Sequence, residues 1–331
     1  MRSIAVTTDF STIARKAFPV AADLARRFAA PLFLVHWAGK PTLSMPWEIP
    51  NRRSESSRLL KAHEHLGALA KSTRVFQGLH VSPRVVTGDP AECFRRFQDA
   101  ENIDLFVVSS QQGTDSARFP LGSFTASLLS QVTCPILVVT ADLDRNGEVE
   151  AAFRPSRLLV PYSPAETPDA VLAVAVEWAD AFAAQIRAIS VVSDEIRGSA
   201  PDALKSAQDR TLRKLRALRS ARGAGRVEHV VGHGDPVTCI VDEAERYGAE
   251  LIVTGSAHLS APNSFLEPSV ADGVIHRTRC PVLVLPGGRI DKVRESEPAN
   301  RALERRDAPA GGGDPPGATR RETFEAIGFV E

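Results

Sequence analysis

The sequence predicts an α/β fold built twice in one chain, each half a five-stranded parallel sheet with helices on both faces. Three observations predict it. Short apolar runs alternate with stretches of helical period along the body of the chain. Gly88-Asp89-Pro90 reappears as Gly234-Asp235-Pro236, and Thr133-Cys134-Pro135-Ile136-Leu137-Val138 as Arg279-Cys280-Pro281-Val282-Leu283-Val284, both at an offset of 146. Ile4-Ala5-Val6 returns as Leu158-Leu159-Val160, Ala25 as Ala179 and Val35 as Ile189, at an offset of 154. The change of offset places an eight-residue shortening in the middle of the second copy. Each copy is then roughly 140 residues, an ordinary size for a domain with its own core.

Ile4 to Thr8 is short, apolar and bounded by a turn, which predicts the first strand. Ser11 or Thr12 caps a helix in which Ala14, Ala17, Phe18, Ala21, Leu24 and Ala25 recur at helical spacing. Leu32-Phe33-Leu34-Val35 is continuously apolar, as a strand covered on both faces must be. Residues 39–57, with Pro41, Pro46 and Pro50, read as a loop, and 57–73 as a helix. Val81–Val86 is a third strand that Pro83 assigns to the sheet edge. Asp89-Pro90 opens a helix to about 102, with proline at its first position. Residues 105–108 form the fourth strand, Gly122-Ser123 starts another helix, and 136–139 form the fifth strand. The second copy repeats the order, with strands at 158–160, 186–192, 227–231, 251–254 and 282–285. Its helices fall at 168–184, 201–222, 236–247 and 269–278. Such alternation implies right-handed crossovers.

These readings divide the chain into a first domain at 1–141, a polar linker at 142–154, a second domain at 155–287 and a disordered Gly/Pro-rich tail at 288–331. The 40 basic and 40 acidic side chains balance, which argues against a dedicated nucleic-acid binder. No apolar run reaches the ~20 residues of a membrane helix, and a strand directly after Met1-Arg2-Ser3 leaves no room for a signal peptide. Cys93, Cys134, Cys239 and Cys280 form two repeat-related pairs without CxxC spacing, so they read as small buried hydrophobes of a cytoplasmic protein. His63 and His65 point apart on a helix, and His229 and His233 stand ~13 Å apart along a strand, so neither pair suits a metal.

Open parallel sheets bind ligands beyond the carboxyl ends of their strands. There the first copy carries Thr8-Asp9-Phe10-Ser11 after strand one and Ser109-Ser110-Gln111-Gln112-Gly113 after strand four. The helix starting at Gly122-Ser123 offers free N–H groups to a phosphate, and Asp9 can accept from a ribose hydroxyl or an adenine amine.

Read together, these residues resemble the universal stress protein family in its tandem form. Thr8-Asp9-Phe10-Ser11, His36 closing strand two, Gly88-Asp89-Pro90, Asp104-Leu105, Leu121-Gly122-Ser123 and Cys134-Pro135 carry the resemblance, over about 1–140 and 155–286. The resemblance implies a flavodoxin-like sheet of order 3-2-1-4-5 in each half. It also implies a homodimer through the fifth strand, which the two halves of a tandem member mimic within one chain. Some members bind ATP through Gly-x-x-Gly, nine residues, then Gly-Ser. Here Ser109 and Gln112 fill the first two glycine positions, Gly113 lies one step late, and Gly122 and Ser123 keep the last two. Asp9 matches the family's acidic residue, Trp37 the strand-two residue against adenine, and Phe124 the next backbone contact to phosphate. In the second copy Gly255 survives, His258 and Pro268 replace the other glycines, Ser163 stands where Asp9 stood, and Tyr162 can fill the space.

The reading that follows is a stress-response sensor or scaffold with a degenerate adenine-nucleotide site in the first domain and an unidentified protein partner. The alternatives are an interaction module that needs no nucleotide and an adenylyl-transferring or ATP-hydrolysing enzyme. The enzyme needs a lysine, histidine or metal carboxylate near the α-phosphate, and the sequence offers none evidently placed.

Overall fold

The computed structural model describes residues 1–39, 52–110, 128, 131–140, 152–162, 169–192, 209, 213, 227–256 and 269–286. In the first half the strands are β1 (Ile4–Thr7), β2 (Leu32–Trp37), β3 (Val81–Val86), β4 (Leu105–Ser110) and β5 (Ile136–Thr140). Its helices are α1 (Thr12–Arg15), α2 (Ala17–Phe28), α3 (Arg52–Ser72) and α4 (Pro90–Glu101). The second half has β6 (Arg157–Pro161), β7 (Gln185–Val192), β8 (Val227–His233), β9 (Leu251–Ser256) and β10 (Val282–Pro286). Its helices are α5 (Asp169–Phe182), α6 (Pro236–Tyr247) and α7 (Val270–Arg277). Of the second-copy helix expected at 201–222, residues 209 and 213 are described and both are helical; the Gly122 helix start and the tail lie outside the described residues.

All ten strands join one sheet, in the order β3-β2-β1-β4-β5-β10-β9-β6-β7-β8. Each half therefore has the expected order 3-2-1-4-5, with every pair inside a half parallel. The halves meet through β5 and β10, which run antiparallel. Leu137 pairs with its own repeat-mate Leu283, and Ile136 and Val138 pair with Val284 and Val282 on either side. A local twofold therefore passes through the Leu137–Leu283 pair, and all six side chains are fully buried. Both edges of each fifth strand are filled within one chain, by β4 and β10 or by β5 and β9. A homodimer through the fifth strands would have to displace this internal pairing.

The repeated Gly-Asp-Pro has a local cause. Gly88 and Gly234 sit at φ +103 and +113, which a side chain would resist. Asp235 then caps α6 by accepting from Thr238 N–H at 2.8 Å, and Pro236 takes the first helical position. The motif stops a strand and starts a helix in three residues, twice. Ser11 does the same work at α1, accepting from Ala14 N–H at 3.0 Å.

Two apolar layers cover the sheet. One holds α2, α3 and α5 against residues such as Val6, Leu34, Leu137, Val160 and Leu283. The other holds α4, α6 and α7 against Phe33, Phe106, Val138, Ile252 and Val284. Each layer runs unbroken across the seam, so the two copies share their cores rather than each enclosing its own. Phe153, within the expected linker, is part of this: its N–H donates to Asp23 at 2.7 Å and its ring meets Phe182 edge-on at 6.0 Å. Arg27 lies over the same Phe182 ring at 4.5 Å.

Candidate functional site

In the first half, α2 follows β1 onto one face of the sheet, while Leu128 and Val132, after β4, pack on the other. The connections after β1 and β4 therefore leave in opposite directions. This is the switch point at which an open α/β sheet forms its crevice. The ends of β1 and β4 are neighbours there, with β2 on the far side of β1.

Asp9 stands exposed directly beyond β1. Its Oδ1 accepts from Ser11 N–H at 2.9 Å, which fixes the carboxylate in a tight turn. Burial pushes the carboxyl up, but hydrogen bonds from the Ser11 side chain and backbone and the nearby His36 outweigh it, so Asp9 lies below the usual carboxylate range. It is an ionised acceptor at neutral pH. Thr8, buried behind it, donates its N–H to Val35 at 2.9 Å and accepts from Phe10 N–H at 3.0 Å.

Trp37 ends β2. Its indole N–H donates to the Gly88 carbonyl at 3.1 Å, so the ring is anchored toward β3 and the start of α4. Ser109 lies within β4, opposite Val139 of β5. The strand thus runs through Ser110, two residues past its expected end, because β5 continues beside it as far as Thr140. Asp9, Trp37 and Ser109 come to one end of the sheet, with Trp37 held on the side away from β4. Gln112, Gly113, Gly122, Ser123 and Phe124 lie outside the described residues.

A cavity of about 340 Å³ opens beside the Trp37 anchor, between the end of β3 and α4, lined by Gly88, Asp89, Glu92, Cys93, Arg96 and Phe97 among others. It is displaced from Asp9 toward the sheet edge. Burial pushes the Cys93 thiol up to about 11, which keeps it protonated and unreactive. All four cysteines are free, Cys134 and Cys280 buried and the other two half-buried.

The second half differs at the same place. Tyr162 occupies the position of Thr8, is 5% exposed and packs into the core layer. Ser190 takes the position of His36 and donates to the Tyr162 carbonyl at 2.7 Å. Its single proton is thereby used, so His229 Nε2, 3.0 Å away, must be the donor to the Ser190 hydroxyl. That polarity is wrong for a serine nucleophile with a histidine base. Ser269, the counterpart of Ser123, caps α7 by accepting from Asp272 N–H at 3.1 Å. Gly255 lies within β9, opposite Leu285.

Sequence reasoning missed one feature. The Phe10 ring stacks on His65 of α3, centroids 4.3 Å apart and planes 5° apart, and also meets His36 at 4.3 Å. His65 serves this stack, while His63 turns its Nδ1 to the Leu59 carbonyl at 2.9 Å. Among the described residues, no helix is long and apolar enough to cross a membrane.

Comparison with known proteins gives one consistent result. The universal stress protein family model matches residues 1–140 and 155–286. A universal stress protein of Methanocaldococcus jannaschii is 27% identical over 145 residues, covering 42% of this chain and 81% of that protein. Among solved structures, a universal stress protein from Archaeoglobus fulgidus superposes with TM-score 0.64 at 19% identity, covering 85% of this chain and 97% of its own. One from Pseudomonas aeruginosa gives 0.54 at 18% identity, covering 89% and 97%. The two structural likenesses concern the fold, and the family match spans both halves, so the chain belongs to the universal stress protein family, as a tandem member.

Proposed function

We propose that the chain is a stress-response sensor or scaffold that binds an adenine nucleotide in its first half only and catalyses no reaction of its own. The observation that carries this reading is the contrast at the ends of β1 and β6. In the first half an exposed, ionised Asp9 stands on a turn fixed by Ser11, where it can accept from a sugar hydroxyl or a base amine. In the second half Ser163 replaces the Asp9 carboxylate in sequence, and Tyr162, buried like the Thr8 whose position it takes, packs into the core layer. Trp37 supports the reading as an anchored aromatic wall at the same sheet end. In this reading Gly122, Ser123 and Phe124 supply phosphate contacts, and Ser109, Gln112 and Gly113 replace the glycine loop with a poorer cradle.

Purified protein is denatured and any released small molecule identified by mass spectrometry. An adenine nucleotide that is recovered from the wild type and lost with Asp9→Ala supports the reading. An empty preparation whose melting temperature ignores millimolar ATP favours the interaction module. Conversion of ATP to AMP and pyrophosphate with an acceptor favours an enzyme.

A further inference from the structure

The Phe10 stack is built at a backbone cost. Phe10 sits at φ +69, a left-handed conformation that is strained for a bulky residue. Two hydrogen bonds hold it there, Phe10 N–H to Thr8 Oγ1 and Ser11 N–H to Asp9 Oδ1. The result is one phenyl ring that touches His36 on β2 and His65 on α3. It ties the turn that carries Asp9 to a helix that begins more than forty residues later.

His36 lies at the base of this stack, half-buried. Its Nδ1 is 2.8 Å from the Thr8 carbonyl, and a carbonyl only accepts, so Nδ1 carries the proton of the neutral ring and Nε2 is the nitrogen that gains one. The charged or titratable groups acting on it are Asp9 from the turn and His65 from α3, while β3 places Val85 beside it. Burial pushes its pKa down and His65 adds to this, outweighing the upward pull of the Thr8 bond and Asp9. The closed arrangement therefore disfavours the imidazolium. Asp9, itself below the usual carboxylate range, stays ionised throughout the range in which an imidazole titrates.

In the second half Ser190 makes the same latch to the same backbone position, and its hydroxyl in turn accepts from His229 Nε2. Holding that carbonyl does not require an imidazole at this position of the second strand.

The geometry points to a proton-operated clasp: with His36 neutral, the Phe10 stack holds the Asp9 turn against α3, and protonation of His36 lets the turn and the helix part. The charge is hydrated in the parted state, and the strain at Phe10 is released with it. The clasp gives the chain an acid input at the mouth of its crevice. It goes beyond the nucleotide reading and does not rest on it, because it is read on ligand-free protein.

The test is hydrogen exchange on the full chain without ligand, from pH 7.5 to 5.0, corrected for the intrinsic pH dependence of exchange. The amides of Phe10 and Ser11 and those of α3 near His65 are expected to lose protection as pH falls, about tenfold for each unit by which closure lowers the His36 pKa. His36→Asn keeps a donor near Nδ1 but cannot titrate; it should match the wild type at pH 7.5 and abolish the loss. His65→Phe keeps the stack and should keep the loss. A loss that persists in His36→Asn, one removed instead by His65→Phe, or unchanged wild-type protection across the range overturns the proposal. Should His36→Asn fail to fold, imidazole nitrogen NMR of the wild type decides. A His36 midpoint coinciding with the loss of protection supports the clasp, and one that does not coincide overturns it.

Discussion

In the first half β2 sends Phe33 against Phe97 of α4, edge to face with centroids 5.7 Å apart. In the second half the same two positions hold Arg187 and Glu243, joined at 2.8 Å. Arg187 also pairs with Glu228 and lies over the Tyr247 ring at 4.0 Å, while Arg246 closes on Glu243 from outside. The first half has a fainter version, with Arg84 over the Phe33 ring and paired to Glu101. One frame thus accepts an aromatic pair or an ion pair between the same strand and helix. What it requires there is a filled, satisfied contact, not a given residue type. By contrast, the seam of β5 and β10 is apolar on both sides of its twofold and has no such latitude.

The largest effect should therefore come from the seam. Leu283→Asp buries a charge against Leu137 and should cost more than about 4 kcal/mol in denaturant unfolding. Because both core layers cross the seam, the wild type should unfold in one transition. Two separate transitions, with Leu283→Asp disturbing only one, would break the comparison into two independent domains.

Glu243→Ala comes next. It leaves the half-buried Arg187 without its innermost partner and should cost about 3–5 kcal/mol. The double variant Arg187→Phe with Glu243→Phe copies the first half into the second and should be neutral or stabilising by about 1–4 kcal/mol. A double variant no better than Glu243→Ala would show that the two halves are not interchangeable there. Smaller again, Gly88→Ala and Gly234→Ala should each cost about 1–2 kcal/mol through backbone strain alone, since nothing crowds an added Cβ at either site. Unequal costs would mean that the repeated motif does different work in the two halves.

The smallest effect is on pH dependence. Burial dominates in lowering the pKa of both His36 and His229 below the ordinary imidazole value. The unfolded chain then takes up their protons first. Their contribution to stability is whole above about pH 6.5 and falls as pH drops below it, levelling off beneath the folded values. Denaturation between pH 7.5 and 5.0 should show this decline, and His36→Asn and His229→Asn should each flatten part of it. An unchanged slope in both variants would assign the decline to other groups.

Much of this was legible because it rests on local chemistry. Pro83 marked the sheet edge, Gly-Asp-Pro marked two strand-to-helix turns, and the offset of 146 carried Leu137 onto Leu283. The Phe10 stack was not legible. Phenylalanine rarely takes positive φ, so nothing at that position signalled that its ring would reach His65 on α3. Phe153 looked like linker because its partners, Asp23 and Phe182, come from opposite halves. The anchoring of Trp37 by the Gly88 carbonyl depends on the pairing of β2 with β3, which spacing alone does not supply.

The claim under test is the proposed one, that a nucleotide binds at Asp9 in the first half and none binds in the second, where Ser163 stands in its place and Tyr162 in that of Thr8. Calorimetric titration of the full chain with ATP addresses it directly. The account predicts one site per chain, weakened at least tenfold by Asp9→Ala and unmoved by Tyr162→Phe. Two equivalent sites, or a single site that survives Asp9→Ala, would contradict it.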